Sequence, residues 1–388
     1  MRFAVATAFA ALVGLAVASP TPSNSGNSVR GNTGNGQKIA PKVFVFSMYD
    51  SEDVWTDRIA LTQNVTVPGL SPLFPNVHCN AAGEICQLIT GEAEINAACT
   101  VTALLFSNLF DFTSTYFLIA GVAGVNPHMG TSASVLLARY AVQVALANEV
   151  DAREMPSNWT TGYWLQGTSE PGTMDDVEIY GTEVFELNTN LREKVRPWLD
   201  GITLNDTTQA QEYRATFGYS PASDPPAVFY GDVSTSDVYF LGADLDNAFA
   251  NITSLWTNGT GQYAMTAQED NATFEAMIRA HLAGLMDFSR VILLRAASDF
   301  DRSPPNAAEV PAFLASHGGY PPSLENLFIA GNPIVQGIIS NWSSFKGGVA
   351  PQDGWLHNAD VNHTLELKKA AAKKRSMSRR GALGLARR

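Results

Sequence analysis

Thr115-Tyr-Phe-Leu-Ile-Ala120 runs without a charge into Gly121-Val-Ala-Gly124-Val-Asn126-Pro127. The first half is aromatic and aliphatic throughout, and the second carries two glycines and a proline. An apolar run that is continuous rather than alternating predicts a strand buried on both faces, as in a mostly parallel sheet covered by helices. Three further runs read the same way: Lys42-Val-Phe-Val-Phe-Ser-Met48, Ala227-Val-Phe-Tyr230 and Arg290-Val-Ile-Leu-Leu-Arg295. Helical patterns fall between them at Glu94–Ser107, Glu186–Leu199 and Ala272–Leu285, while residues 132–149 fit either period. Strand–helix alternation predicts an α/β fold with a covered sheet. Ligands bind beyond strand C-termini in such folds, so the loops after these four strands are the places to look for a site.

The rest of the chain fits a large folded body with unlike ends. Its 388 residues are 45% hydrophobic and 16% charged, which supports a sizeable core and excludes a disordered polymer. The formal net charge is −12, and residues 366–388 hold nine of the 25 basic residues against one acid, Glu366. The remainder therefore carries about −20, a body that repels phosphate backbones, and nucleic-acid binding is not expected of it. Residues 19–40, rich in Ser, Asn, Gly, Pro and Thr, read as a disordered leader. Residues 41–350 read as the folded domain, and 351–388 as an extension ending in the basic tail.

Arg2 precedes the apolar run Phe3 to Val17, which closes on Ala16-Val17-Ala18. That pattern predicts a signal peptide over residues 1–18 and a secreted protein, extracellular or in the cell envelope. No other window reads as a membrane-spanning segment. Eight Asn-x-Ser/Thr sequons, at Asn64, Asn158, Asn205, Asn251, Asn258, Asn271, Asn341 and Asn362, predict a glycoprotein. Cys79 and Cys86 flank a turn-bearing segment that could close a hairpin disulfide, with three unpaired cysteines as the alternative. Cys99, in an apolar run, reads as a buried free thiol.

Four strand-following segments carry chemistry. They are the acidic Ser47–Asp53, the glycine pair Gly121 and Gly124 leading to Asn126, the hydroxyl-rich Gly231–Tyr239, and Arg295-Ala-Ala-Ser298-Asp299-Phe300-Asp301. Glycines at such a turn allow the backbone to approach a ligand. The histidines show no ligand spacing and no paired cysteine motif exists, so no metal and no cofactor are expected.

Taken together these segments resemble the nucleoside phosphorylase and nucleosidase superfamily, and in particular its secreted fungal branch, the purine nucleoside permeases. The phrases that carry the resemblance are Val67-Pro-Gly-Leu-Ser71, His78-Cys79, Tyr116 to Pro127, Asp151-Ala-Arg-Glu-Met-Pro156, Thr266-Ala-Gln-Glu-Asp-Asn-Ala-Thr273 and Ala297-Ser-Asp-Phe-Asp-Arg302. The resemblance implies a three-layer α/β/α domain with a mixed, mostly parallel central sheet, often oligomeric. It also implies N-glycosidic bond cleavage in a purine nucleoside. A purine leaves when an acid protonates or hydrogen-bonds its imidazole nitrogen, and Asp299 of the Ser298-Asp299 pair matches that acid. The bland alternative is a helix N-cap with Asp301 as an exposed partner. Arg295 matches the arginine before the pair, and would hold a water or phosphate or neutralise Asp299. Tyr239, with Ser236 and Asp237, matches the phrase that sets a ring against the base; core packing is its alternative. Glu52 matches the acid that activates water, or is an exposed loop carboxylate.

Glu269 and Glu275 compete for the ribose-binding role. Glu275 has an ion-pair spacing to Arg279, which favours Glu269, with Asn271 beside it. A glycan on Asn271 would count against that assignment. Thr90-Gly91-Glu-Ala-Glu-Ile-Asn96 resembles an anion loop, but Glu92 and Glu94 within it would repel a phosphate dianion. The first two loops hold no arginine, and Arg58 is the nearest candidate. Hydrolysis is therefore expected over phosphorolysis, with phosphate as a conceivable co-substrate. The competing reading is a nucleoside-binding protein that assists uptake with a membrane transport partner. A storage glycoprotein is the third.

Overall fold

The computed structural model describes residues 38–355. The signal peptide expected at 1–18, most of the leader, the basic tail and Asn362 lie outside those residues. The strands are β1 (Val43–Ser47), β2 (Gln63–Thr66), β3 (Asn76–Cys79), β4 (Ile85–Ile89), β5 (Tyr116–Val125) and β6 (Val135–Gln143). They continue with β7 (Ala147–Glu149), β8 (Tyr163–Leu165), β9 (Val184–Glu186), β10 (Val228–Thr235), β11 (Tyr263–Ala267) and β12 (Val291–Phe300). The helices that matter are α1 (Ala93–Leu105), α2 (Thr189–Val195), α3 (Thr208–Ala215), α4 (Ala243–Trp256), α5 (Asp270–Leu282), α6 (Glu309–Phe313) and α7 (Tyr320–Ser340).

One ten-stranded mixed sheet runs β11-β10-β6-β12-β5-β1-β4-β3-β2, with β9 beside β6. Pairing is parallel through β4-β1-β5-β12 and through β6-β10-β11, and antiparallel where β6 meets β12. Met265 of β11 also pairs with Val125 of β5, so the sheet curls back and joins β5, β12, β6, β10 and β11 into a closed ring. The mixed, mostly parallel central sheet that the resemblance implied is present, and it is partly closed. Alternate residues of β1 enter two cores. Phe44 and Phe46 pack among Leu104 and Met277, while Val43 and Val45 pack among Leu327, Ile334 and Leu191. Burial on both faces is why these strands read as unbroken apolar runs.

Three strands extend past the points where the sequence suggested loops. β5 continues through both glycines to Val125, β10 through Ser234, and β12 through Ser298-Asp299. Residues 132–149 resolve as β6 and β7. Glu186 closes β9 rather than opening a helix, and α2 starts behind Asn188, whose side chain accepts from the amide of Leu191.

Cys79 and Cys86 are joined by a disulfide across the β3–β4 register. Cys99 is exposed on the outer face of α1, not buried, because Ala97 and Val101 take the inward positions of that helix. Asn271 is buried, and its side-chain amide donates to the carbonyl of Thr182 at 2.8 Å. A glycan has no room there in the folded protein, so the objection it raised to Glu269 falls away. The other described sequon asparagines are exposed. Among the described residues no helix is long and apolar enough to cross a membrane.

Candidate active site

A cavity of about 730 Å³ opens beyond the C-terminal ends of β1, β5, β10, β11 and β12. Glu52, Gly124, Ser236, Tyr239, Glu269, Arg295, Ser298 and Asp299 all line it, although the chain scatters them over some 250 positions. A bulge in the β12–β5 pairing between Ala297 and Asp299 breaks the strand's regular alternation at Ser298. Ser298 Oγ donates to Asp299 Oδ1 at 2.5 Å, and the Tyr239 hydroxyl donates to Oδ2 at 2.7 Å. Asp299 lies within a strand, so the N-cap alternative is excluded. Asp301 is buried rather than exposed, accepting from the Tyr263 hydroxyl at 2.6 Å and from Arg302 at 3.0 Å. Tyr239 is 53% exposed and leans on Phe313, with ring centroids 5.5 Å apart, which excludes a core role.

Glu52 sits on a single helical turn after β1 and is only 1% exposed, so the exposed-carboxylate alternative fails. Its carboxyl accepts from the amides of Met48 at 2.7 Å and Val122 at 2.6 Å. Burial pushes it up to about 8, against the pull of Arg295 and the two amides. Such a group exchanges protons near neutral pH.

Arg295 is fully buried and does not pair with Asp299. Its guanidinium meets Asp270 most closely, reaches Glu269 Oε2 at 3.3 Å and donates to the carbonyl of Val122 at 3.1 Å. Burial pulls it down, but Asp270 and Glu269 outweigh burial and hold it above its usual range. Gly121 faces Arg295 in the β5–β12 register. A side chain there would come within 2.6 Å of the guanidinium and 3.0 Å of Glu52, so this glycine clears space for protein charges rather than for ligand backbone contact. Gly124 does line the cavity, and its amide donates to Thr266 Oγ1 at 2.9 Å.

The expected anion loop is occupied by the protein's own carboxylates. At the N-terminus of α1 the amide of Ala93 donates to Glu269 Oε1 at 3.1 Å, and the amide of Glu94 donates to Asp237 Oδ1 at 2.8 Å. Ala93 holds φ at +71°, a strained value for a residue with a side chain, placing its amide against Glu269. Glu269, 4% exposed, is held above its ordinary range by burial, in spite of Arg295 and that amide. Burial likewise raises Glu94 to about 7, and its carboxyl meets the Gln143 amide.

Several expected residues therefore lie outside the cavity. Asp237 caps α1, and Thr90 turns inward to the backbone of Ser47 and Gly91. Gly91 has φ +84° and packs on Asn96, whose amide donates to the Glu92 carbonyl. Asn126 is buried against β11, donating to the Tyr263 carbonyl at 3.3 Å. Asn271 holds the segment before β9, away from the cavity. Arg58 is paired with Glu325 at 2.5 Å. Sequence reasoning missed Asp270, although it stood beside Glu269 in the quoted phrase. It also missed Phe313, His317 and Tyr320, which reach the cavity from a segment with no motif to mark it.

The family model described as purine nucleoside permease matches residues 40–350. A purine nucleoside permease of Candida albicans is 41% identical over 341 residues, covering 86% of this chain and 84% of its own. A probable purine nucleoside permease of Schizosaccharomyces pombe is 38% identical over 325 residues, covering 81% of this chain and 93% of its own. Among solved structures, the 5'-methylthioadenosine/S-adenosylhomocysteine nucleosidase of Neisseria meningitidis aligns with a TM-score of 0.45 at 14% identity, over 77% of this chain and 99% of that one. On the match over residues 40–350 and the identity to these fungal relatives, the chain belongs to the purine nucleoside permease family.

Proposed function

We propose that the protein cleaves the N-glycosidic bond of purine nucleosides with water as the nucleophile, on a fold of nucleoside phosphorylase type. The observation that carries water over phosphate is the N-terminus of α1. A helix N-terminus is a ready anion site, but here its amides are spent on Glu269 and Asp237. Glu269, Asp270 and Asp299 outnumber Arg295, the arginine among the described residues that line the cavity, which is itself paired. A phosphate dianion entering that field costs several kcal/mol at an effective dielectric of about 20. A neutral water meets no such penalty.

In this reading Asp299 protonates or hydrogen-bonds the leaving purine, and the Tyr239 ring packs against the base. Glu269 accepts from ribose hydroxyls, with Arg295 beside it. Glu52 orients the water and takes its proton. No cofactor takes part.

The same reading takes the protein to be secreted after removal of residues 1–18, glycosylated at its exposed sequons, and assembled as a homo-oligomer. A role in uptake would need a separate membrane partner, and rests on the name that the relatives bear. Purified protein given inosine, adenosine and guanosine, each with and without phosphate, tests the proposal by release of free base. Purine affinity without release would replace it with nucleoside binding alone.

A further inference from the structure

Both oxygens of Asp299 accept from protein donors: Ser298 on Oδ1 and Tyr239 on Oδ2. The two donors differ in how easily they move. Ser298 is the adjacent residue, and its Oγ also lies 3.1 Å from the Ala123 carbonyl within the sheet. Tyr239 comes from the loop after β10, sixty residues away in sequence, and its ring stands half exposed in the cavity beside Phe313. Rotation about its side-chain bonds carries the hydroxyl off Oδ2 without moving the strand that holds Asp299.

We infer that Tyr239 is a latch on Asp299: its hydroxyl occupies the carboxyl oxygen that a purine must take, and ligand entry exchanges one hydrogen bond for the other. The inference rests on the proposed role of Asp299 as the group that meets the purine. It makes Tyr239 a positioning and selecting residue as well as a stacking one. A ligand replaces the phenol when a proton lies between its ring nitrogen and Oδ2, either a ring N–H that donates to the carboxylate or a bare ring nitrogen that accepts from the protonated carboxyl. One with carbon at that place leaves a carboxyl oxygen unpaired and is rejected.

Removing only the hydroxyl should help the ligand, since nothing then competes for Oδ2. Adenine is titrated into wild type, Tyr239→Phe, Asp299→Ala and the double variant, with thermal melting to show that each is folded. Tyr239→Phe is expected to tighten adenine binding by roughly threefold to tenfold when Asp299 is present. In the Asp299→Ala background the same change should alter binding by less than about twofold. In turnover the gain should fall on KM rather than kcat. Equal weakening in both backgrounds would assign the hydroxyl to the ligand itself and overturn the latch, as would no change in either. Parallel assays of base release separate the two readings. The expected pattern without any base release keeps the latch and refutes the glycosidase, whereas release with a flat pattern does the reverse. Wild type that binds no purine overturns both.

Discussion

Two carboxyls line one cavity in unlike surroundings, and the roles proposed for them rest on that contrast. Asp299 is partly exposed in the cavity, whereas Glu52 is buried in its wall and raised to about 8 by that burial. Asp299→Asn should leave the fold intact and cut base release by about 10²–10⁴-fold, the range of a general acid. Loss within about tenfold would remove Asp299 from that role. Glu52 must be deprotonated to take a proton from water, so kcat/KM should climb with pH towards about 8 and then level. Glu52→Gln should be as damaging as Asp299→Asn and should flatten that ascending limb. Tyr239→Ala removes both ring and hydroxyl, and should weaken purine affinity where Tyr239→Phe strengthens it. A direct titration of adenine reads both signs.

At the scale of elements, α1 and β12 decide what the site can hold. Asp237 belongs to the helix rather than to the ligand, because it pairs with the amide of Glu94. Asp237→Ala should therefore cost about 1 kcal/mol of stability, as loss of a cap does, and leave adenine affinity nearly unchanged. Denaturant unfolding beside an adenine titration checks both. Strands β1, β5, β10 and β12 and helices α1 and α5 were legible in the sequence, the strands because burial in a covered sheet leaves an unbroken apolar run. Their ends were not, since glycines at 121 and 124 look like turns until the clearance for Arg295 is seen. The cluster of Glu52, Glu269, Arg295 and Asp299 was legible through short phrases. The aim of Asp237, Thr90, Asn126 and Asn271 was not, because side-chain direction at a strand end or helix start depends on neighbours far along the chain. Asp270 and the wall from Phe313 to Tyr320 carry no spacing signal at all.

The whole molecule is a mixed α/β body whose sheet closes on itself through Met265 and Val125, and no local pattern encodes that closure. Closure brings the ends of β5, β11 and β12 around one cavity and buries acids there. Burial holds Glu52 near 8 and raises Glu269 at that cavity, and elsewhere it holds Glu94 near 7 and raises Asp246. A carboxyl raised on folding keeps a proton that the unfolded chain has released, so stability falls as pH rises through the window from about 4.5 to 8. Melting temperature should accordingly be highest on the acid side of neutral and decline towards pH 8, as calorimetry across that range would show.

The central claim is that water, not phosphate, attacks the sugar in a site whose anion-binding amides are already taken. It is tested most directly by identifying the sugar product from inosine, with and without phosphate. The account predicts free ribose, formed at the same rate in both buffers. Ribose 1-phosphate, formed at a rate that saturates with phosphate, would contradict it.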